Sequence, residues 1–553
     1  MGTAGYGIIE FSYDAAGRVR MKTDQQGDTC TFTYNLGGQL LSRAYRTAAN
    51  SPSGTVADSD TFTYDRAGRM LTALSGRYAN TVTLAYDHAG RLASEGLTIA
   101  GQTYSVGRTY DVRGLEATLS YPGGGVVQRT YTPRRQLQQT SYLGTAIETR
   151  TYDAAGRHAT STYANGAVTT NSYRLDNLLA SRATSHAGTE QLGTYSYSWD
   201  ANKNKTAETI GAQGSGFGFS VPAGGYDQED RLTAWNRTDG ARNQSWTLSA
   251  VGDWTAHSDA GVNQTRTHAA AHELTAVTTG GTTSPLGYDP KGNLLSRPAA
   301  LASPALGLVW DFDNRLRGAD TNGTPATQEV SFEYDALGRR VARSETGNNV
   351  VYVHAGQQVI ADYARGAAAA APSFRYVYGS YVDEPLLRHA GTGTTLPTSG
   401  TAALYYHRNQ QYSIVGLSDA AGALVERYAY TAYGELTILA PNRTLRATSS
   451  FQNRYTYTGR EWDATLRLYY FRARWLEPKA GRFIGRDPLG YVDGLGLYGA
   501  YFAIGDLDPF GLQKRDWQYL IGHAKESLNA MKKAHDAILN KIKAAGEIGR
   551  AHV

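Results

Sequence analysis

The phrase Tyr-Asp-x-x-Gly-Arg, repeated through most of this 553-residue chain, constrains the fold more than any other feature. Copies read YDAAGRV at Tyr13, YNLGGQL at Tyr34, YDRAGRM at Tyr64 and YDHAGRL at Tyr86. They continue as YDVRGL at Tyr110, YTPRRQL at Tyr131, YDAAGRH at Tyr152 and YRLDNLL at Tyr173, with looser copies at Trp199, Tyr226, Tyr288, Phe312 and Tyr334. In the cleanest stretch the starts fall at 110, 131, 152 and 173. A period of about 21 residues holds two strands of about 5–6 residues and two tight turns. Aromatic and hydroxyl residues alternate before the turn, as in Thr31-Phe32-Thr33-Tyr34, which is the period of a strand. Asp can bond neighbouring amides and Gly can take positive φ, so the two mark a reversal. The Arg that follows reads as a solvated or cross-strand charge.

More than a dozen such hairpins in series make a long antiparallel strip. A flat strip would leave edges and an apolar face exposed. Strand twist allows it to coil. The expected fold class is therefore all-β, a hairpin strip coiled into a hollow shell or large solenoid. Gly 62 and Tyr 39 suit turns and half-buried strands. A single cysteine, Cys30, excludes an internal disulfide. No apolar run reaches 18 residues, so no spanning helix is expected. The opening MGTAGYGIIEFSYD has no basic-then-apolar order of a leader, and it begins inside a repeat, as if more sequence preceded it.

After Leu512 the pattern changes. Trp517, Leu520, Ile521, Ala524, Leu528, Met531, Ile538 and Ile542 recur at helical spacing, predicting one or two amphipathic helices. Of the net charge of +5, residues 513–553 carry +4 and the rest +1. His523 with Glu526, and His535 with Asp536, have no third ligand nearby, so neither a metal nor a cofactor is expected.

Just before that change the phrase Asp-Pro-x-Gly occurs twice, at Asp487 and again at Asp508, where it runs on to Leu512. Two readings are open. Asp followed by Pro is a good turn former. Two carboxylates brought together also share a proton, so one can activate water while the other donates. Asp487 and Asp508 are the candidate pair, with Arg486 as a supporting charge and Asp493 as the reserve carboxylate.

The repeats resemble those of the YD-repeat, or Rhs, family. YYHRNQQYSIVGLSDAAGALVERYAYTAYGE (Tyr405 to Glu435) is similar to the segment before that family's core, and YTYTGREWDATLRLYYFRARWLEPKAGRFIGRDPLG (Tyr455 to Gly490) to the core itself. The resemblance implies a YD-repeat β-shell over 1–400, an Rhs-associated core over 401–512, and over 513–553 the start of a C-terminal toxin or its remnant. It implies a cocoon that encloses that C-terminal polypeptide, and an aspartic autoprotease that cuts between Leu512 and Gln513. It further implies as partners the chain's own C-terminal segment, a secretion-system or toxin-complex component and a cognate immunity protein. Residence would be the bacterial cytoplasm before export or delivery to a target cell. The chain departs from the family pattern over 491–507, where Gly494-Leu495-Gly496-Leu497-Tyr498-Gly499-Ala500-Tyr501 stands in place of Gly-Leu-Asn-Leu-Tyr-x-Tyr. Two alternatives remain: a non-enzymatic adhesion or glycan-binding scaffold, its repeat aromatics holding sugars, and a bare scaffold with export partners attached upstream.

Overall fold

The computed structural model describes residues 8–211, 214–323, 327–491, 496–500 and 502–512. The helices expected after Leu512 lie outside the described residues. From Glu10–Tyr13 to Thr282–Pro285 the strands form one 25-stranded sheet in which each pairs antiparallel with the next along the chain. A 15-stranded sheet runs from Gly287–Tyr288 to Leu445–Arg446 in the same fashion, and a 4-stranded sheet from Glu461–Asp463 to Arg482–Phe483. The all-β hairpin strip is thus as expected. It coils without closing into a barrel: among the described residues no pairing joins the first strand of a long sheet to its last.

The repeat works as a latch. In the copy at Tyr64, Asp65 Oδ1 accepts the Arg69 amide at 2.9 Å and Oδ2 accepts Arg69 Nε at 2.7 Å. Gly68 supplies φ +83° at the tightest point. The Arg69 guanidinium then lies 4.7 Å from the ring centre of Tyr86, the next repeat's tyrosine. Tyr86 in turn donates its hydroxyl to the carbonyl of Met70 at 2.9 Å. The same latch recurs from Arg91 to Tyr110 and from Arg157 to Tyr173. The repeat Arg is therefore the cross-strand charge of the two readings, with its side chain still part-exposed, 36 % at Arg69. Its own turn's Asp clamps it, and it carries the neighbouring ring.

The latch also explains the irregular copies. Trp199 and Trp310 replace tyrosine yet keep a donor at the ring tip, and their Nε1 atoms reach the carbonyls of Leu179 and Leu294 at 2.9 and 2.7 Å. The copy expected at Phe312 begins two residues earlier, at Trp310-Asp311, where Asp311 clamps Arg315 at 2.8 Å. A phenylalanine has no ring donor and cannot serve.

Successive windings of the strip stack on each other. Turns and hairpin ends of the first sheet meet strands and turns of the second. Asn80 Nδ2 donates to the Tyr334 carbonyl at 3.0 Å, Tyr121 hydroxyl to the Tyr376 carbonyl at 2.6 Å, and Asn165 Nδ2 to Ser418 Oγ at 2.8 Å. Between them lies an apolar core with Phe62, Val82, Val106 and Val127 on one side and Val351, Leu387 and Leu404 on the other. Buried ion pairs cross the same seam. Glu95 faces Arg339 and Arg108, and Glu384 faces Arg150 and Arg408. Inside the winding is a cavity of about 2390 Å³, walled by YD turns, by Arg408 and Tyr412 of the second sheet, and by Phe510 near the end of the described chain.

Candidate functional site at the twin aspartates

The strands Leu468–Phe471 and Arg474–Glu477 form a hairpin whose tip is Arg472-Ala473, with Arg472 at φ +61°. The chain leaves it through Arg482–Phe483 and reaches the first Asp-Pro-x-Gly. That unit is a turn: Asp487 Oδ1 accepts the Leu489 amide at 2.8 Å, and the Gly490 amide donates to the Asp487 carbonyl at 3.0 Å. The second unit is a turn of the same kind. Asp508 Oδ1 accepts the Leu512 amide at 3.1 Å, and Gly511 sits at φ +66°. A Cβ on Gly511 would lie 2.5 Å from the Phe471 carbonyl oxygen, so only glycine fits against the hairpin.

Both turns aim at one guanidinium. Arg474 Nη2 is 3.0 Å from Asp487 Oδ2 and 3.6 Å from Asp508 Oδ2. Arms of 3.0 and 3.6 Å from a single nitrogen cannot span more than 6.6 Å, so the two carboxylates share one small space. It is dry: the side chains of Arg474, Asp487 and Asp508 are 4 %, 8 % and 3 % exposed. Arg474 is fixed from its other side. Its guanidinium lies 3.8 Å from the Phe483 ring centre, and its Nε donates to the Gly511 carbonyl. The peptide between Gly511 and Leu512 is thus gripped at both polar atoms, its carbonyl by Arg474 and its N–H by Asp508. The next peptide along is Leu512–Gln513.

Of the residues singled out in the sequence, Asp487, Asp508 and Leu512 come together here. Arg486 does not join them. Its guanidinium pairs with Glu273, which outweighs the cost of burial and raises its pKa. Asp493 and Gln513 lie outside the described residues. The residues that sequence reasoning missed are Arg472 and Arg474. Their signal was present: two arginines at strand period inside the aromatic run YYFRARWL mark charges turned inward.

One other constellation resembles a hydrolytic site. Ser161 Oγ lies 2.7 Å from Glu148 Oε1 and 2.9 Å from His158 Nε2. That same nitrogen lies 3.1 Å from the Thr160 carbonyl, an acceptor, so it carries a proton and cannot act as base. Burial and the nearby Arg150 hold His158 neutral, well below its ordinary range.

The fold and site define a class: a coiled strip of latched hairpins that ends in a paired-aspartate turn against its own core. The chain matches no family profile. Over 245 residues, 43% of its length, it is 26% identical to the tRNA3(Ser)-specific nuclease WapA of Bacillus spizizenii, spanning 9% of that protein. Over 256 residues, 41% of its length, it is 26% identical to double-stranded DNA deaminase toxin A of Burkholderia cenocepacia, spanning 16% of that protein. In structure, 92% of the chain superposes on 28% of the TcdB2-TccC3 chain with a TM-score of 0.69 at 18% identity, a likeness of fold. The chain spans less than a third of each. These relatives are those of the Rhs/YD-repeat toxin-complex family, in agreement with the repeats and core.

Proposed function

We propose that this chain is the shell and self-cleaving core of a toxin carrier. It holds the polypeptide that follows Leu512 and frees it by hydrolysing the Leu512–Gln513 bond. The observation that carries this reading is the single Arg474 guanidinium between Asp487 and Asp508, with the Leu512 amide bound to Asp508. In this mechanism one aspartate is ionised and the other protonated. The ionised member takes a proton from water as the water oxygen bonds to the Leu512 carbonyl carbon. The protonated member gives its proton to the Gln513 nitrogen as the C–N bond breaks. The products are a carboxyl group at Leu512 and a free amine at Gln513, and the pair ends with its proton on the other member. Arg474 pairs with the ionised member and holds the two side chains together. The reaction is single-turnover, since the substrate is the chain itself.

Several observations support a carrier. The cavity of about 2390 Å³ has Phe510, two residues before Leu512, in its wall. Two relatives with unlike named activities, a tRNA nuclease and a DNA deaminase, fit a common carrier with exchangeable cargo. In this reading residues 1–400 are shell, 401–512 the core and 513 onward cargo. Export partners, delivery into a target cell and an immunity protein against the cargo belong to the same proposal. The glycan-binding alternative is weakened because repeat rings such as Tyr86, Tyr110 and Tyr173 spend their hydroxyls on neighbouring carbonyls.

Asp487→Asn and Asp508→Asn test the mechanism. Each should leave the denatured chain whole, while the wild type separates into two pieces with Gln513 at the new amino terminus. A wild type that stays whole, or Asn variants that are cut as fast as it, would overturn the proposal.

A further inference from the structure

The segment that enters the aspartate site is held by three consecutive residues. Arg472 Nη1 donates to the Pro509 carbonyl, the Ala473 amide to the Phe510 carbonyl at 3.1 Å, and Arg474 Nε to the Gly511 carbonyl. The last of these belongs to the site described above. The first does not, and Arg472 is set by a residue far away in the chain. Asp383 lies in the loop between strands Phe374–Tyr378 and Pro385–Ala390, within the repeat strip rather than the core. It is 2 % exposed. Its Oδ1 accepts Arg460 Nη1 and Arg472 Nη2, both at 2.6 Å, and its Oδ2 accepts Arg472 Nη1 at 3.2 Å.

The same loop packs the segment at a second point. Tyr381, its ring centre 4.3 Å from that of Tyr412 and tilted to it by 44°, forms an apolar cluster with Leu507, which is 1 % exposed. The approach is close enough to require glycine. A Cβ on Gly459 would lie 2.0 Å from the Asp383 carbonyl oxygen. Loop 381–384 therefore touches the terminal segment through Leu507 and, by way of Arg472, through Pro509. These contacts bracket Asp508.

We propose that Asp383 is a positioning residue for self-cleavage. Through Arg472 it fixes the Pro509 carbonyl, and so the register of residues 509–512 against Asp487 and Asp508. Because Asp383 belongs to the strip, the cutting geometry is complete only after the strip has wound against the core. Cleavage then follows enclosure. This inference rests on the proposed self-cleavage.

The test is a cell-free synthesis pulse–chase of the full chain that reads the half-life of the uncut form, with a thermal melt of each product. Asp383→Asn and Arg472→Gln should each lengthen that half-life about tenfold or more, equivalent to about 1.4 kcal/mol on the barrier. Asp383→Glu and Arg472→Lys, which keep the charges, should recover part of the rate. Melting should change little in the Arg472 variants, since Arg460 still pairs with Asp383, whereas Asp383→Asn leaves two guanidiniums without their carboxylate and should melt lower. If Asp383→Asn loses its melting transition, the Arg472 pair decides. Wild-type rates in both Asp383→Asn and Arg472→Gln would overturn the inference while leaving self-cleavage standing. A rate loss that only tracks a lowered melt, with no recovery in Arg472→Lys, would also overturn it. An uncut wild type would overturn the self-cleavage itself and this inference with it.

Discussion

The two long sheets are built from one repeat but live in different surroundings. In the first, strand Asp58–Tyr64 alternates: Asp60 and Phe62 are buried while Thr61 and Thr63 face water. Exposed hydroxyl pairs such as Thr63 with Thr72, 2.6 Å apart, line its outer face. In the second, strands Ala403–Arg408 and Ile414–Ser418 are buried at every position. Their second face is covered by residues 453–456: Tyr406 reaches Asn453 at 3.1 Å, and the Ile414 amide donates to the Thr456 carbonyl at 2.9 Å. The repeat thus fixes the hairpin, and position along the winding decides whether one face is buried or two. The doubly buried sheet is also where charges must be paired to be tolerated, because an ion removed from water is costly without a partner.

That contrast predicts unequal responses. The largest is at Glu384, whose carboxyl meets both Arg150 and Arg408. Glu384→Ala strands two buried guanidiniums and should cost about 3–5 kcal/mol in denaturant unfolding. Asp176→Ala, at a pair in the first sheet whose side chains are 40 % and 36 % exposed, should cost about 0.2–1 kcal/mol. Equal losses would mean the two sheets are not differently buried.

A smaller difference is expected at the latch. Tyr334 is 1 % exposed and donates to the Leu316 carbonyl at 2.7 Å. Tyr334→Phe leaves that carbonyl unmet in a dry site, at about 1–3 kcal/mol. Tyr86→Phe, where water can reach the rim, should cost about 0.5–1.5 kcal/mol.

Acid sharpens the same comparison. Burial alone would raise the pKa of Glu95 and Glu461. Arg339 and Arg108 overcome this at Glu95, and Arg340 and Arg454 at Glu461, holding each at about 2. Each folded value lies below the unfolded one of about 4.3, so the unfolded chain takes up protons first. Their contribution is present above pH about 4.3 and lost as pH falls toward 2. Melting temperature followed over that window should fall, and Glu461→Gln should flatten the fall. The turn aspartates add in the same direction: the Arg69 amide, above all, lowers the pKa of Asp65.

The hairpin strip was legible because its determinants are local. Asp65, Gly68 and Arg69 lie within one turn, and alternation of Thr and aromatic residues needs only a few positions. The latch was not legible because its second half, Tyr86, lies on another strand; the copy was set at Phe312 rather than Trp310 for the same reason. Asp487 and Asp508 stood out as a repeated motif. Their meeting could not be read, since Arg474 joins them from 13 and 34 positions away in the chain. The turn and acid-pair readings of Asp-Pro-x-Gly are compatible, because the turn is what aims the acid.

The most direct measurement is the mass of the freshly purified, denatured protein. A chain of 59.8 kDa and 553 residues, cut after Leu512, should give pieces of about 55 kDa and 4–5 kDa. Asp487→Asn and Asp508→Asn should give one species at the full mass. A single full-length mass for the wild type, or a cut at any other bond, would contradict the account.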